Sequence, residues 1–128
     1  MRFLLDTHTL LWWLTDDPQL SSLARATIGN EAHTILISAA SAWEIATKYR
    51  IGKLSIAAEV VPRFNELVAA DGFEHLPVSY LHALRAASFA LEHRDPFDRM
   101  LAAQSELESA PLITRDPAFG AFGTRVVW

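Results

Sequence analysis

A chain of 128 residues that is 51% hydrophobic and 20% charged is long enough for one packed core, and its formal net charge of −4 argues against coating nucleic acid through a basic face. The absence of cysteine excludes disulfides and thiolate metal sites and fits a cytoplasmic protein. No apolar run approaches the ~20 residues of a membrane-spanning helix, and the N-terminus lacks a signal-peptide pattern, so a single domain over residues 1–128 with no membrane attachment is expected.

Arg2 to Leu5 reads as a short strand ending at Asp6, followed by a helix from about Thr9 to Leu14 opened by the Thr7-His8-Thr9 step. Thr15-Asp16-Asp17-Pro18 breaks that helix. A second helix then carries Leu20, Leu23, Ala24 and Ile28 at helical spacing up to Gly29-Asn30. Thr34 to Ser38 is the next strand, and Ser38 or Ser41 caps a helix that runs to about Arg50 and stops at Ile51-Gly52-Lys53.

Val60, Val61, Phe64, Leu67 and Val68 predict one amphipathic helix over 57–70. After an extended piece from Glu74 to Val78, Ser79 caps a helix expected to reach His93. Asp95-Pro96 opens another, because aspartate at the cap and proline at the first helical position satisfy or remove orphan amides. Leu112 to Thr114 and Thr124 to Trp128 are the last strands, joined by a loop from Arg115 to Gly123. Strands alternating with helices predict an α/β protein with a mostly parallel sheet covered on both faces.

Four acidic residues, Asp6, Glu44, Asp98 and Asp116, follow apolar runs or open helices. In an open α/β sheet such positions converge on the crevice at the carboxyl ends of the strands. Two unit charges roughly 4 Å apart cost about 4 kcal/mol at an effective dielectric of ~20, so a cluster of four calls for protons or a divalent cation. Oxygen ligands suit Mg²⁺ or Mn²⁺. Each residue also has a structural reading: Asp6 as a helix cap, Glu44 as the return partner in Ser41-x-x-Glu44, Asp98 likewise after Asp95, and Asp116 as a turn residue. Of the two capping candidates before Pro96-Phe97, Asp95 is read as the cap and Asp98 as the ligand. Lys48 shares the helix face of Glu44 and would screen it or reach a phosphate.

His8, His33, His75, His82 and His93 show no zinc-hydrolase spacing and are expected mostly to face solvent. A nucleophile elbow, a cysteine nucleophile and a glycine-rich phosphate loop are all absent, so serine hydrolase, cysteine protease and P-loop chemistry fall away. Arginines outnumber lysines nine to two, which suits bidentate contact with phosphate or carboxylate.

Leu5-Asp6-Thr7-His8, Ser41-Ala42-Trp43-Glu44-Ile45 with Lys48, Gly52-Lys53-Leu54, Asp95-Pro96-Phe97-Asp98-Arg99-Met100 with Ala102-Ala103-Gln104, and Thr114-Arg115-Asp116 together resemble a PIN-domain ribonuclease of the VapC toxin type. The likeness spans nearly the whole chain. It implies a Rossmann-like α/β/α sandwich, Mg²⁺- or Mn²⁺-dependent endoribonuclease activity, a homodimer, and inhibition by a cognate antitoxin. It also implies that Asp6, Glu44, Asp98 and Asp116 are the metal ligands. Arg99 and Arg115 adjoin two of these and, with Lys48, are the candidates for binding RNA phosphates.

Two other classes stay open. An aspartyl-phosphate phosphatase also places aspartate after its first strand but wants a second two residues on, where this chain has His8. A receiver-like interaction module would want an acidic pair and a late lysine that are missing here. A mean hydropathy of +0.15, the tryptophans of the first helix and the Val60 to Val68 stripe are read as surface covered by a partner.

Overall fold

Phe3 and Leu5 point to one side of the first strand and Leu4 to the other, and this alternation divides the protein into two cores. The computed structural model describes every residue from Met1 to Trp128. Strands β1 (Arg2–Leu5), β2 (Thr34–Ser38), β3 (Glu74–Leu76), β4 (Leu112–Ile113) and β5 (Val126–Val127) form one sheet in the order β3-β2-β1-β4-β5, with every neighbouring pair parallel. β1 is central, flanked by β2 and β4, and its chain direction places Asp6 at the carboxyl edge.

Helices α1 (Thr7–Leu14), α2 (Ser22–Gly29), α3 (Ala39–Arg50), α4 (Ala57–Val60), α5 (Phe64–Ala70), α6 (Tyr80–Ser88) and α7 (Pro96–Leu107) cover both faces. Leu10, Leu11, Leu20, Ala24, Ile28 and Ile45 pack with Phe3, Leu5, Ile35 and Ile37 on one side. Leu101, Ala102, Ala103, Ala86 and Phe89 pack with Leu4, Leu36 and Leu112 on the other. A buried leucine contributes about 1.5–3 kcal/mol relative to exposure, so these two faces carry most of the fold. The expected α/β/α sandwich is present, and its sheet is wholly parallel.

Several local expectations are corrected. The single helix over 57–70 is broken by a 3-10 turn at Val61–Arg63, because Pro62 has no amide to donate. α6 ends at Ser88 instead of His93; Arg99 takes the carbonyls of Ala86 and Ala87 in its last turn and those of the chain beyond. α1 starts at Thr7, directly after β1, with no intervening loop.

The apolar surface also lies elsewhere than expected. Trp12 packs edge-on against Trp128, Trp13 against Phe73, and Val60 and Val68 are buried, so these residues serve the protein's own core. Exposed apolar side chains are found instead at Trp43 on α3 and at Tyr80, Leu81 and Leu84 on α6. No helix is long and apolar enough to cross a membrane.

Candidate metal centre and nuclease site

Because α1 follows β1 without a loop, Asp6 is both the last residue of the central strand's edge and the cap of the helix. It is buried, its Oδ1 accepts the amide of Thr7 at 2.7 Å, and its Oδ2 accepts the hydroxyl of Thr114 at 2.7 Å. Burial pushes its pKa above the usual carboxylate value. Thr114, Thr7 and the charge of His8 oppose that rise, while the charge of Glu44 adds to it.

Glu44 lies on α3, whose cap is Ser38: its Oγ accepts the amide of Ala40 at 3.0 Å. Ser41 is therefore inside the helix, and the capping-box reading of Glu44 is set aside. Ser41 Oγ instead accepts the hydroxyl of Thr7 at 3.0 Å, joining α1 to α3 beside the acidic residues. Glu44 is almost fully buried. Oε2 accepts from the Lys48 ammonium, and Oε1 is buried with no partner in the protein. An ionised oxygen left in that state is costly, so the position wants a cation.

Asp95 caps α7 through Oδ1, which accepts the amides of Phe97 and Asp98. Asp98 does not return to the cap. Its Oδ2 lies 2.9 Å from Nε2 of His93, whose ring rests edge-on against Phe122. The pKa of Asp98 is raised to about 6, chiefly by burial, with the charges of Asp95 and Asp6 adding and the hydrogen bond from His93 opposing. Asp6 thus lies within electrostatic reach of both Glu44 and Asp98.

Asp116 is exposed, and its Oδ1 accepts the amide of Ala118 to start a 3-10 turn at Pro117–Phe122, so the turn role is present. It shares with Asp6 an open cleft of about 330 Å³ whose other walls are His8, Trp12, Arg115 and Pro117. Thr114 links the two, since the same hydroxyl that donates to Asp6 accepts the amide of Asp116 at 3.0 Å. The Arg115 guanidinium stacks on the Trp12 ring at 4.6 Å and also reaches Gln19.

Arg99 departs from expectation. All five of its N–H donors are engaged: Nε with the carbonyl of Ala86, one terminal nitrogen with Leu91 and His93, the other with Ala87 and Phe89. No donor remains for a phosphate. The substrate-binding assignment of Arg99 is therefore corrected to a clamp that folds the segment from Ala86 to His93 and thereby delivers His93 to Asp98.

No three acidic or histidine side chains form a ready-made ligand cage in this conformation. The donor set nonetheless fits a hard divalent cation, because its members are carboxylates and one buried oxygen of Glu44 lacks a partner.

Residues 3–124 match the family model of the PIN domain. The chain belongs to the PIN domain family. The fold of this PIN domain is similar to a chain in the crystal structure of VapBC2 from Rickettsia felis bound to a DNA fragment from their promoter, with a TM-score of 0.72 and 16% identity over 99% of this chain and 98% of that one. It is also similar to a domain of a functionally unknown protein from Methanocaldococcus jannaschii, with a TM-score of 0.55 and 14% identity over 99% and 89% of the two chains. Both are likenesses of fold. Comparison with curated proteins gives no match.

Sequence reasoning missed Thr114, Thr7, Ser41 and His93. Thr114 was within sight, as a β-branched hydroxyl residue at a strand end two before Asp116. The five histidines are expected mostly to face solvent, yet His93 is largely covered and His82 is buried between Gln104, Ser79 and Glu108.

Proposed function

We propose that this protein is a metal-dependent endoribonuclease and the toxin of a toxin-antitoxin pair. PIN domains are typically nucleases that use divalent metals, which supports the nuclease part. The observation that carries the reading is a buried Glu44 oxygen that no protein group satisfies, and it is supported by the charge coupling of Asp6 to Glu44 and to Asp98 at the carboxyl edge of the sheet. The fold likeness to a VapBC assembly supports the toxin part.

In this reading Asp6, Glu44, Asp98 and Asp116 hold Mg²⁺ or Mn²⁺. When bound, such a cation lowers the pKa of water and neutralises charge on a phosphodiester. Thr114 aims Asp6 and opposes the rise that burial imposes on its pKa, and His93 fixes the rotamer of Asp98, as hydrogen-bonded partners of metal-binding carboxylates do. Arg115, held flat on Trp12 at the cleft rim, receives a flanking phosphate of RNA. The partners are the RNA substrate, a second copy of the chain through the apolar surface of α3 and α6, and an antitoxin that presents a cation toward the carboxylates. Nothing in the geometry favours the phosphatase or receiver alternatives.

The test is cleavage of RNA by the purified protein with Mg²⁺ or Mn²⁺, compared with Asp6→Asn. Equal cleavage by the two forms, or cleavage indifferent to EDTA, rejects the nuclease reading. Survival of the host cell on expression without the neighbouring gene rejects the toxin reading.

A further inference from the structure

Lys48 lies four residues after Glu44 on α3, and its ammonium is hydrogen-bonded to Oε2 of that residue while Oε1 is left without a partner. It is the one cation in contact with Glu44. The other basic groups nearby are committed elsewhere: His93 to Asp98, Arg99 to five carbonyls, and Arg115 to Trp12 and Gln19. Burial pulls the pKa of the ammonium down, but the bond and charge of Glu44, with the charges of Asp95 and Asp98, more than offset this and keep it charged. Lys48 therefore lies within the field of Glu44, Asp95 and Asp98.

The two ends of the side chain differ in freedom. The Lys48 carbonyl accepts the Lys53 amide at 2.9 Å, and Gly52, in the left-handed region at φ +75°, closes the same helix end by donating to Tyr49. The backbone is thus fixed. The side chain as a whole is about one-third exposed, so the ammonium has solvent to move into.

We propose that Lys48 is a resident counter-cation of the carboxylate cluster: its ammonium holds Glu44 while no metal is bound, is displaced from it by a divalent cation, and is then released toward an RNA phosphate. This rests on the metal-dependent reading above. A carboxylate buried without a partner is strongly destabilising, so the lone protein needs the ammonium there. A divalent ion offers twice the charge to the same oxygens and competes with it directly. Metal affinity is accordingly set below what the carboxylates alone would give.

The consequence is a pair of effects with opposite sign, which a purely structural ion pair would not produce. In Lys48→Met, the metal-free protein should melt lower than the unsubstituted protein. Its calorimetric affinity for Mn²⁺ should be tighter by at least about tenfold, the effect of one unit charge a few ångströms away even at a dielectric near that of water. Lys53→Met makes the same change in net charge at an exposed position and should leave both values where they were. Unchanged or weaker Mn²⁺ affinity in Lys48→Met overturns the proposal and leaves the metal reading standing. Absence of Mn²⁺ binding by the unsubstituted protein overturns both.

A second measurement covers the case in which Lys48→Met does not fold. The chain has two lysines, so acylation of the unsubstituted protein followed by mass spectrometry reports Lys48 with Lys53 as its internal reference. Mn²⁺ should raise the labelling of Lys48 relative to Lys53. An unchanged ratio at saturating Mn²⁺ counts decisively against displacement.

Discussion

The hydroxyl of Thr114 donates to Oδ2 of Asp6 at 2.7 Å, so the end of β4 is fastened to the end of β1 by a side chain that bears no charge. The same oxygen accepts the amide of Asp116 at 3.0 Å. Thr114→Val keeps the shape and removes both bonds, leaving a buried carboxylate oxygen and an amide without partners. The loss should be about 1–3 kcal/mol in stability, with weaker Mn²⁺ binding, while Thr114→Ser restores most of each. Thermal melts and calorimetry check this; equal melting of the valine and threonine forms would falsify the role.

Arg99 and Arg115 adjoin acidic residues in the same way in the sequence and should behave oppositely. Arg99→Lys cannot reproduce five directed donors, so it should destabilise by several kcal/mol while leaving the salt dependence of RNA binding unchanged in whatever fraction folds. Arg115→Ala should melt nearly normally and flatten the salt dependence, by about 0.7 in log-log slope for one lost single-strand phosphate contact. An unaltered slope for Arg115→Ala would remove it from the substrate site.

Glu44→Gln separates charge from shape. The amide oxygen can still accept from Lys48, so melting should shift little, whereas Mn²⁺ affinity should fall by at least about tenfold because a ligand charge is gone. Retention of full Mn²⁺ affinity would return Glu44 to a structural role.

The raised pKa of Asp98 gives a pH dependence whose sign is fixed. A carboxyl whose folded pKa of about 6 exceeds its ordinary value of 3.8 favours folding when protonated; that contribution is complete below the ordinary value and is lost as pH rises through about 6. In EDTA, Asp98→Asn should therefore gain stability over the unsubstituted protein as pH rises across this window, reaching on the order of 2–3 kcal/mol at neutral pH. Saturating Mn²⁺ should shrink the gain, since a cation favours the ionised form. Melting curves across the window test it, and a difference that stays flat with pH would reject the assignment.

What the sequence made legible was whatever is encoded within a few residues. Phe3-Leu4-Leu5 announces a strand covered on both faces, Ser79 and Asp95-Pro96 announce helix starts, and the placing of Asp6, Glu44, Asp98 and Asp116 announces an acidic site. Illegible features depend on partners far along the chain. Nothing near Arg99 reveals that its guanidinium folds the segment before α7, and nothing near Ser41 reveals that Thr7 rather than Glu44 is its partner. Pro62 was a local signal passed over in favour of the apolar period around it.

The bond between Thr114 and Asp6 joins residues 108 positions apart. Asp6 is synthesised well before the strand that aims it. A nascent chain can form α1, β2 and α3 and still hold its carboxylates unassembled, because β4 has not yet arrived to close the cluster. For a protein read as hazardous to the cell that makes it, translation itself thus acts as a delay, and the site comes into being only once β4 has been made.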